Sequence, residues 1–246
     1  MLNKLLITKG TSPEEIAKYI STLREQKGKE KEVLVLINEA LSFGHEFIVS
    51  MFFEEALTNQ HLYMNDSSNK KALIDMQNSV LKAGFYINKY NLTRWQSRYF
   101  RFLGRIEDYK KNFKKSSFYY KKSIKYIKSD PEQFRIFELE GFLAFAILMS
   151  GQIDKGYKYS KKVYSKYVNT KNGILLKKKD YFTWAVWRSG VAIRTINALI
   201  DNKANFKLIE IKKWLDEVET ELNVKGYDFS YRKSELLDLK EKLKLN

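Results

Sequence analysis

Apolar residues recur three and four positions apart along almost the whole chain. Ile16, Ile20 and Leu23 fall on one helical face, Leu34, Ile37 and Leu41 on a second, and Phe52, Phe53, Ala56 and Leu57 on a third. Carried through the sequence, the pattern predicts helices near 12–27, 30–43, 46–62, 69–88, 93–109, 112–128, 131–150, 153–168, 179–200, 206–223 and 231–244. No alternating run of useful length competes with it. Val33–Ile37 has a strand-like composition but continues into Asn38-Glu39-Ala40-Leu41, a helical context. Start signals agree with the periodicity. Ser12-Pro13-Glu14-Glu15 and Asp130-Pro131-Glu132-Gln133 each read as a cap, a first-turn proline and an acidic partner, and Thr93-Arg94-Trp95-Gln96 is a third start. The expected joints are short: Gly44-His45, Asn91-Leu92, Ser129-Asp130, Gly151-Gln152 and Asp201–Asn205. The chain reads as all-α, with about eleven short helices stacked as hairpins.

Around residues 100–123 the order Phe100, Leu103-Gly104, Ser116, Tyr120, Ser123 resembles the tetratricopeptide repeat. In that family the first helix carries an aromatic and then Leu-Gly, and the second a small–aromatic–small series. Leu143-Ala144, Gly151, Gly156 and Tyr159 resemble a second copy, and Leu36, Gly44, Phe53 and Ala56 a third. Glu107 stands where the family has a first-helix aromatic, and no proline closes the units. The turns at Lys111 and Gly151 lie 40 residues apart, against about 34 in the family. The resemblance covers about two-thirds of the chain and implies a right-handed α-solenoid. With no linker or low-complexity tract to divide it, the expectation is a single domain over 1–246. It would hold an N-terminal helix within 1–30, a hairpin array over 31–223 and a C-terminal capping helix over 230–246.

Charge is unevenly distributed along the chain. The net charge is +16, yet residues 1–90 carry 11 basic and 11 acidic side chains, 91–180 carry 22 and 8, and 181–246 carry 12 and 10. Nearly all the excess sits in the middle of the array. There Arg94, Arg98, Arg101 and Arg105 follow one another at helical spacing on one face, in a chain with 36 Lys and only 9 Arg. Like charges on successive turns repel unless an anion faces them. The resemblance places Arg98, Arg101 and Arg105, with Asn38 in the first unit, on positions that line the family's concave groove, where basic residues grip a peptide carboxylate. The alternative is that Glu107, Asp108, Glu138 or Glu140 pair with these arginines inside the array. Lys110, Lys111, Lys114, Lys115, Lys121, Lys122, Lys125 and Lys128 read as a solvated face. Arg188, one turn beyond Trp184, is placed to stack on that indole or to reach the same groove.

Catalytic signatures are missing. The chain has no cysteine, no glycine-rich phosphate loop, no nucleophile elbow and no His-Glu-x-x-His. His45 and His61 lack local ligand partners, so no metal or other cofactor is expected. The longest apolar run, Phe142–Met149, reads as a central buried helix; it is far short of the ~20 residues a bilayer requires. With no signal-like start, the expected location is the cytoplasm. The sequence therefore points to a non-enzymatic interaction module that binds an acidic or carboxylate-bearing peptide segment in a basic groove. Arg94, Arg98, Arg101, Arg105, Asn38 and Arg188 are its candidate contacts. Nucleic-acid binding through residues 91–180, and permanent docking on an acidic partner as a structural subunit, stand as alternatives.

Overall fold

The computed structural model describes residues 13–41 and 47–244. Among them the chain is helical throughout, without strands. The Ser12 cap and the Gly44-His45 joint lie outside the described residues. The chain forms two compact units, residues 1–95 and 96–246.

The first unit holds α1 (Pro13–Arg24), α2 (Glu30–Leu41), α3 (Ile48–Asn65) and α4 (Lys70–Lys89). Ile16, Ile20, Leu23, Val33, Ile37, Ala40 and Met51 make its apolar centre. Polar anchors join the helices: Arg24 Nε donates to Glu54 of α3 at 2.8 Å, and Asn65 Nδ2 donates to Glu30 of α2 at 2.7 Å. His61 is buried with Nδ1 3.2 Å from the Arg24 carbonyl. Burial lowers its pKa, so it is neutral at ordinary pH.

The second unit holds α5 (Gln96–Tyr109), α6 (Phe113–Tyr126), α7 (Ile136–Met149), α8 (Ile153–Asn169), α9 (Lys171–Lys179), α10 (Tyr181–Asp201), α11 (Leu208–Leu222) and α12 (Ser230–Lys242). Successive helices pack on one another: α5 on α6, α6 on α7 and α7 on α8, with α10 against α7, α8 and α11. The apolar run Phe142–Met149 of α7 is buried on nearly every side, as its composition requires. Trp184 is fully buried and donates its indole N–H to the Tyr167 carbonyl at 3.1 Å. The described residues form twelve helices rather than about eleven. The added one is α9, which starts where the Thr170 hydroxyl accepts from Gly173 N and ends before the Asp180 cap of α10. Its Asn172-Gly173 pair has the composition of a turn.

Four helices stop in the same way. After α4, α5, α7 and α10 the chain enters positive φ at Asn91, Lys111, Gly151 and Lys203. The next amide then reaches back five residues, as from Asn112 N to Glu107 O at 2.8 Å and Gln152 N to Ile147 O at 3.3 Å. Glycine adopts this conformation freely; lysine does not. Two other glycines make room. A Cβ on Gly104 would stand 2.5 Å from the Tyr120 ring, and one on Gly156 would stand 2.7 Å from Leu148 N. The first obstacle is a side chain and the second is backbone.

Two substitutions test this construction in urea unfolding. Lys111→Gly should stabilise the protein by about 0.5–1 kcal/mol, because it removes the left-handed strain. Gly156→Ala should cost about 2–3 kcal/mol, because the backbone of α7 has nowhere to move.

Candidate functional site

The α5 arginines do not face solvent as a ladder. A 3-10 turn at Thr93–Trp95 precedes α5, whose buried face carries Ser97, Arg101, Phe102, Gly104, Arg105 and Asp108. Two arginines thus lie on the face that packs inward, and a buried guanidinium must find a carboxylate. Arg101 Nε donates to Glu138 of α7 at 2.8 Å, and Arg101 Nη2 reaches the other oxygen of the same carboxylate. Arg135 adds a longer contact to Glu138 at 3.4 Å. Arg105 Nη1 donates to Asp108 at 3.1 Å and its Nη2 to the Tyr109 hydroxyl at 2.6 Å. Asp108 also accepts from the Ser116 and Tyr120 hydroxyls, which tie α6 to α5 through one carboxylate.

Arg98, nearer the surface, pairs with Glu132 and lies 3.9 Å from Asp130. The Asp130-Pro131-Glu132 segment that caps α7 in the sequence therefore also holds an arginine, while Asp130 Oδ1 accepts the Glu132 amide at 2.8 Å. Of the four acids proposed to neutralise the ladder, Asp108 and Glu138 do so. Glu107 and Glu140 instead take Lys115 at 3.0 Å and Lys166 at 2.7 Å.

Arg188 both stacks and pairs. Its guanidinium carbon lies 3.9 Å from the Tyr164 ring centre and 5.6 Å from that of Trp184. Its nitrogens reach Glu217 and Glu221 of α11. Asn38 and Arg94 belong to the first unit, and both are exposed. Arg94 lies 5.7 Å from the Trp95 ring centre.

Surplus charge remains on α6. Lys114, Lys121, Lys122 and Lys125 share one face of that helix with Phe118, opposite the buried Ser116, Tyr120 and Ser123. None of these four lysines has an ion pair among the described residues. Phe118 is 51% exposed. Lys122 Nζ sits 4.7 Å from the Phe118 ring centre and 5.2 Å from that of Phe100. Phe100 stacks on Tyr119 at 6.3 Å and on Tyr126 at 5.6 Å. This lysine and aromatic face is an exposed cationic surface, whereas the α5 arginines are taken up by carboxylates, two of them inside. No group of acidic or histidine side chains among the described residues is arranged to hold a metal ion. No helix of the described residues is long and apolar enough to cross a membrane.

Among the described residues of the second unit, Arg194 is the arginine without a paired carboxylate. Arg194 of α10 lies 4.5 Å from the Phe142 ring centre and makes neither an ion pair nor a hydrogen bond among the described residues, with its Nε buried. Gly190, one turn before it, leaves space for the guanidinium. That Gly–Arg spacing is the only sign of the arrangement in the sequence.

The buried pairs make stability depend on pH in opposite directions. Burial alone would raise the Glu138 carboxyl, but Arg101 and Arg135 override it and hold it at about 2, against an ordinary 4.5. Its contribution is therefore complete above pH 4.5 and lost as pH falls toward 2. Burial holds Glu221 up at about 7, with Arg188 pulling down and Glu217 adding to the rise. The folded protein thus takes up a proton at Glu221, and stability falls as pH rises from 4.5 to 7. In urea titrations Glu138→Gln should flatten the loss of stability below pH 4.5 by an amount on the order of 3 kcal/mol. An acid limb as steep as that of the unaltered protein would refute the assignment.

Comparison of the chain with protein-family models, with curated proteins and with solved structures gives no match.

Proposed function

We propose that the chain is a tetratricopeptide-like α-solenoid that serves as a non-enzymatic binding module for an acidic protein or peptide segment, with the α6 face as its contact surface. The single observation that carries this reading is the division of labour among the cations. Arg101, Arg105 and Arg188 of the second unit are matched by carboxylates, whereas Lys114, Lys121, Lys122 and Lys125 of α6 make no ion pair among the described residues and share their face with the exposed Phe118. A long cationic stripe steers an acidic partner at long range, and Phe118 with its neighbours offers apolar area for the contact. Packing of successive helices, the repeated helix ends and the Gly104–Tyr120 contact support the solenoid.

Nucleic-acid binding is the second reading, and the same face favours it for one reason. Bases stack on aromatic rings set among lysines, and Phe118 and Phe100 flank Lys122 in that manner.

Fluorescence anisotropy separates the two. A labelled oligoglutamate peptide should bind more tightly than a labelled single-stranded oligonucleotide, and should weaken as salt rises from about 50 to 200 mM. Reversing Lys121, Lys122 and Lys125 to Glu should weaken peptide binding by ~10-fold or more, with helix content unchanged. Peptide binding indifferent to that reversal would overturn the α6 surface, and tighter binding of the oligonucleotide would install the second reading.

A further inference from the structure

Arg194 of the second unit makes no ion pair among the described residues, and Glu235 and Glu138 act on it only from a distance. It is partly buried against Phe142 of α7, and the same ring carries the guanidinium groups of Arg105 at 4.6 Å and Arg101 at 5.4 Å. A Cβ on Gly190 would stand 2.8 and 3.0 Å from the two Nη atoms of Arg194 and 3.0 Å from Nη2 of Arg232 on α12, so two guanidinium groups converge on one point. The acids nearby are already committed. Glu138 holds Arg101 and Arg135, Asp108 holds Arg105, and Glu235 holds Arg232. Burial, followed by repulsion from Arg232 and Arg105, lowers Arg194 to about 10, which leaves it charged at neutral pH.

A second donor nearby lacks an acceptor. Tyr167 of α8 is fully buried, and its hydroxyl has no hydrogen-bond partner. Burial raises this hydroxyl, and Arg194 is the charge that acts on it most strongly. Buried donors without acceptors are rare in proteins, because each loses its water for nothing. Arg194 Nε and Arg105 Nε are likewise buried and unpartnered.

We infer that the second unit contains a carboxylate-binding site in which Arg194 is the principal cation and Arg232 and the Tyr167 hydroxyl are further donors. One unmatched positive charge calls for one negative charge, which favours a carboxylate over a dianionic phosphate. A guanidinium lying over an aromatic ring presents its planar fork edge-on, and a planar carboxylate accepts it bidentately. Arg194 and Arg232 are both partly exposed. It uses none of the α6 lysines and stands whether or not an acidic peptide docks there.

The test is thermal unfolding of the full chain in sodium acetate against sodium chloride at matched ionic strength. Acetate should raise Tm by a few degrees, saturably, in the unaltered protein. The rise should vanish in Arg194→Met, a variant that keeps the side-chain volume and removes the unpaired charge. Tyr167→Phe removes a hydroxyl that makes no hydrogen bond, so it should fold normally and weaken the acetate effect several-fold. An equal acetate response in all three proteins, or none in the unaltered one, would overturn the site. Stabilisation by inorganic phosphate with none by acetate would overturn the carboxylate assignment. Tetra-alanine with a free C-terminus, compared with its amide, identifies the source. Tighter binding of the free acid than of acetate assigns the site to a peptide terminus, and parity with acetate assigns it to a small organic acid; either outcome supports the site.

Discussion

A guanidinium turned into a protein interior needs a carboxylate within reach, and α5 turns two of them inward. The second unit is arranged around meeting that demand. Glu138 comes from the first turns of the apolar helix α7 and closes on Arg101; Asp108 comes from α5 itself and recruits Ser116 and Tyr120 of α6. Three successive helices are thereby tied by polar contacts of fixed geometry, in addition to the non-directional packing of Tyr120, Phe142 and their neighbours. Hydrophobic burial drives the helices together, and the charge pairs select which faces meet.

That arrangement redistributes the function of the charge. The middle of the chain is strongly basic, but basicity has two fates there. Arginine, with its planar fork, satisfies buried carboxylates and stacks on Phe142, Tyr164 and Trp184. Lysine, strongly hydrated and compact at its charged end, stays on the outer face of α6. A binding surface for an acidic partner is accordingly expected where the lysines are. Arg194 is the exception, because no acid was left for it.

Much of this was readable in the sequence, and the unread part has physical causes. The 3.6-residue period located all the long helices, because each buries a continuous apolar stripe. The 3-10 turns at Thr93–Trp95 and Gln133–Arg135 delayed the start of α5 and α7 by a few residues, and Asn172-Gly173 obscured α9. Helical spacing correctly put Arg98, Arg101 and Arg105 on related faces, but periodicity alone does not tell an inward charged stripe from an outward one. Residues 37 positions apart, such as Arg101 and Glu138, become partners only through the packing of α5, α6 and α7. Arg232 and Arg194, which converge at Gly190 from α12 and α10, have no sequence pattern in common.

The α5 arginines hold the second unit together rather than wait for a ligand. A double-mutant cycle on Arg101→Met and Glu138→Leu, read by urea unfolding, tests it most directly. Each single substitution should cost about 3–5 kcal/mol by leaving a buried charge unmatched, and the double substitution should recover most of that loss. Additive losses, with no coupling between the two positions, would contradict the account.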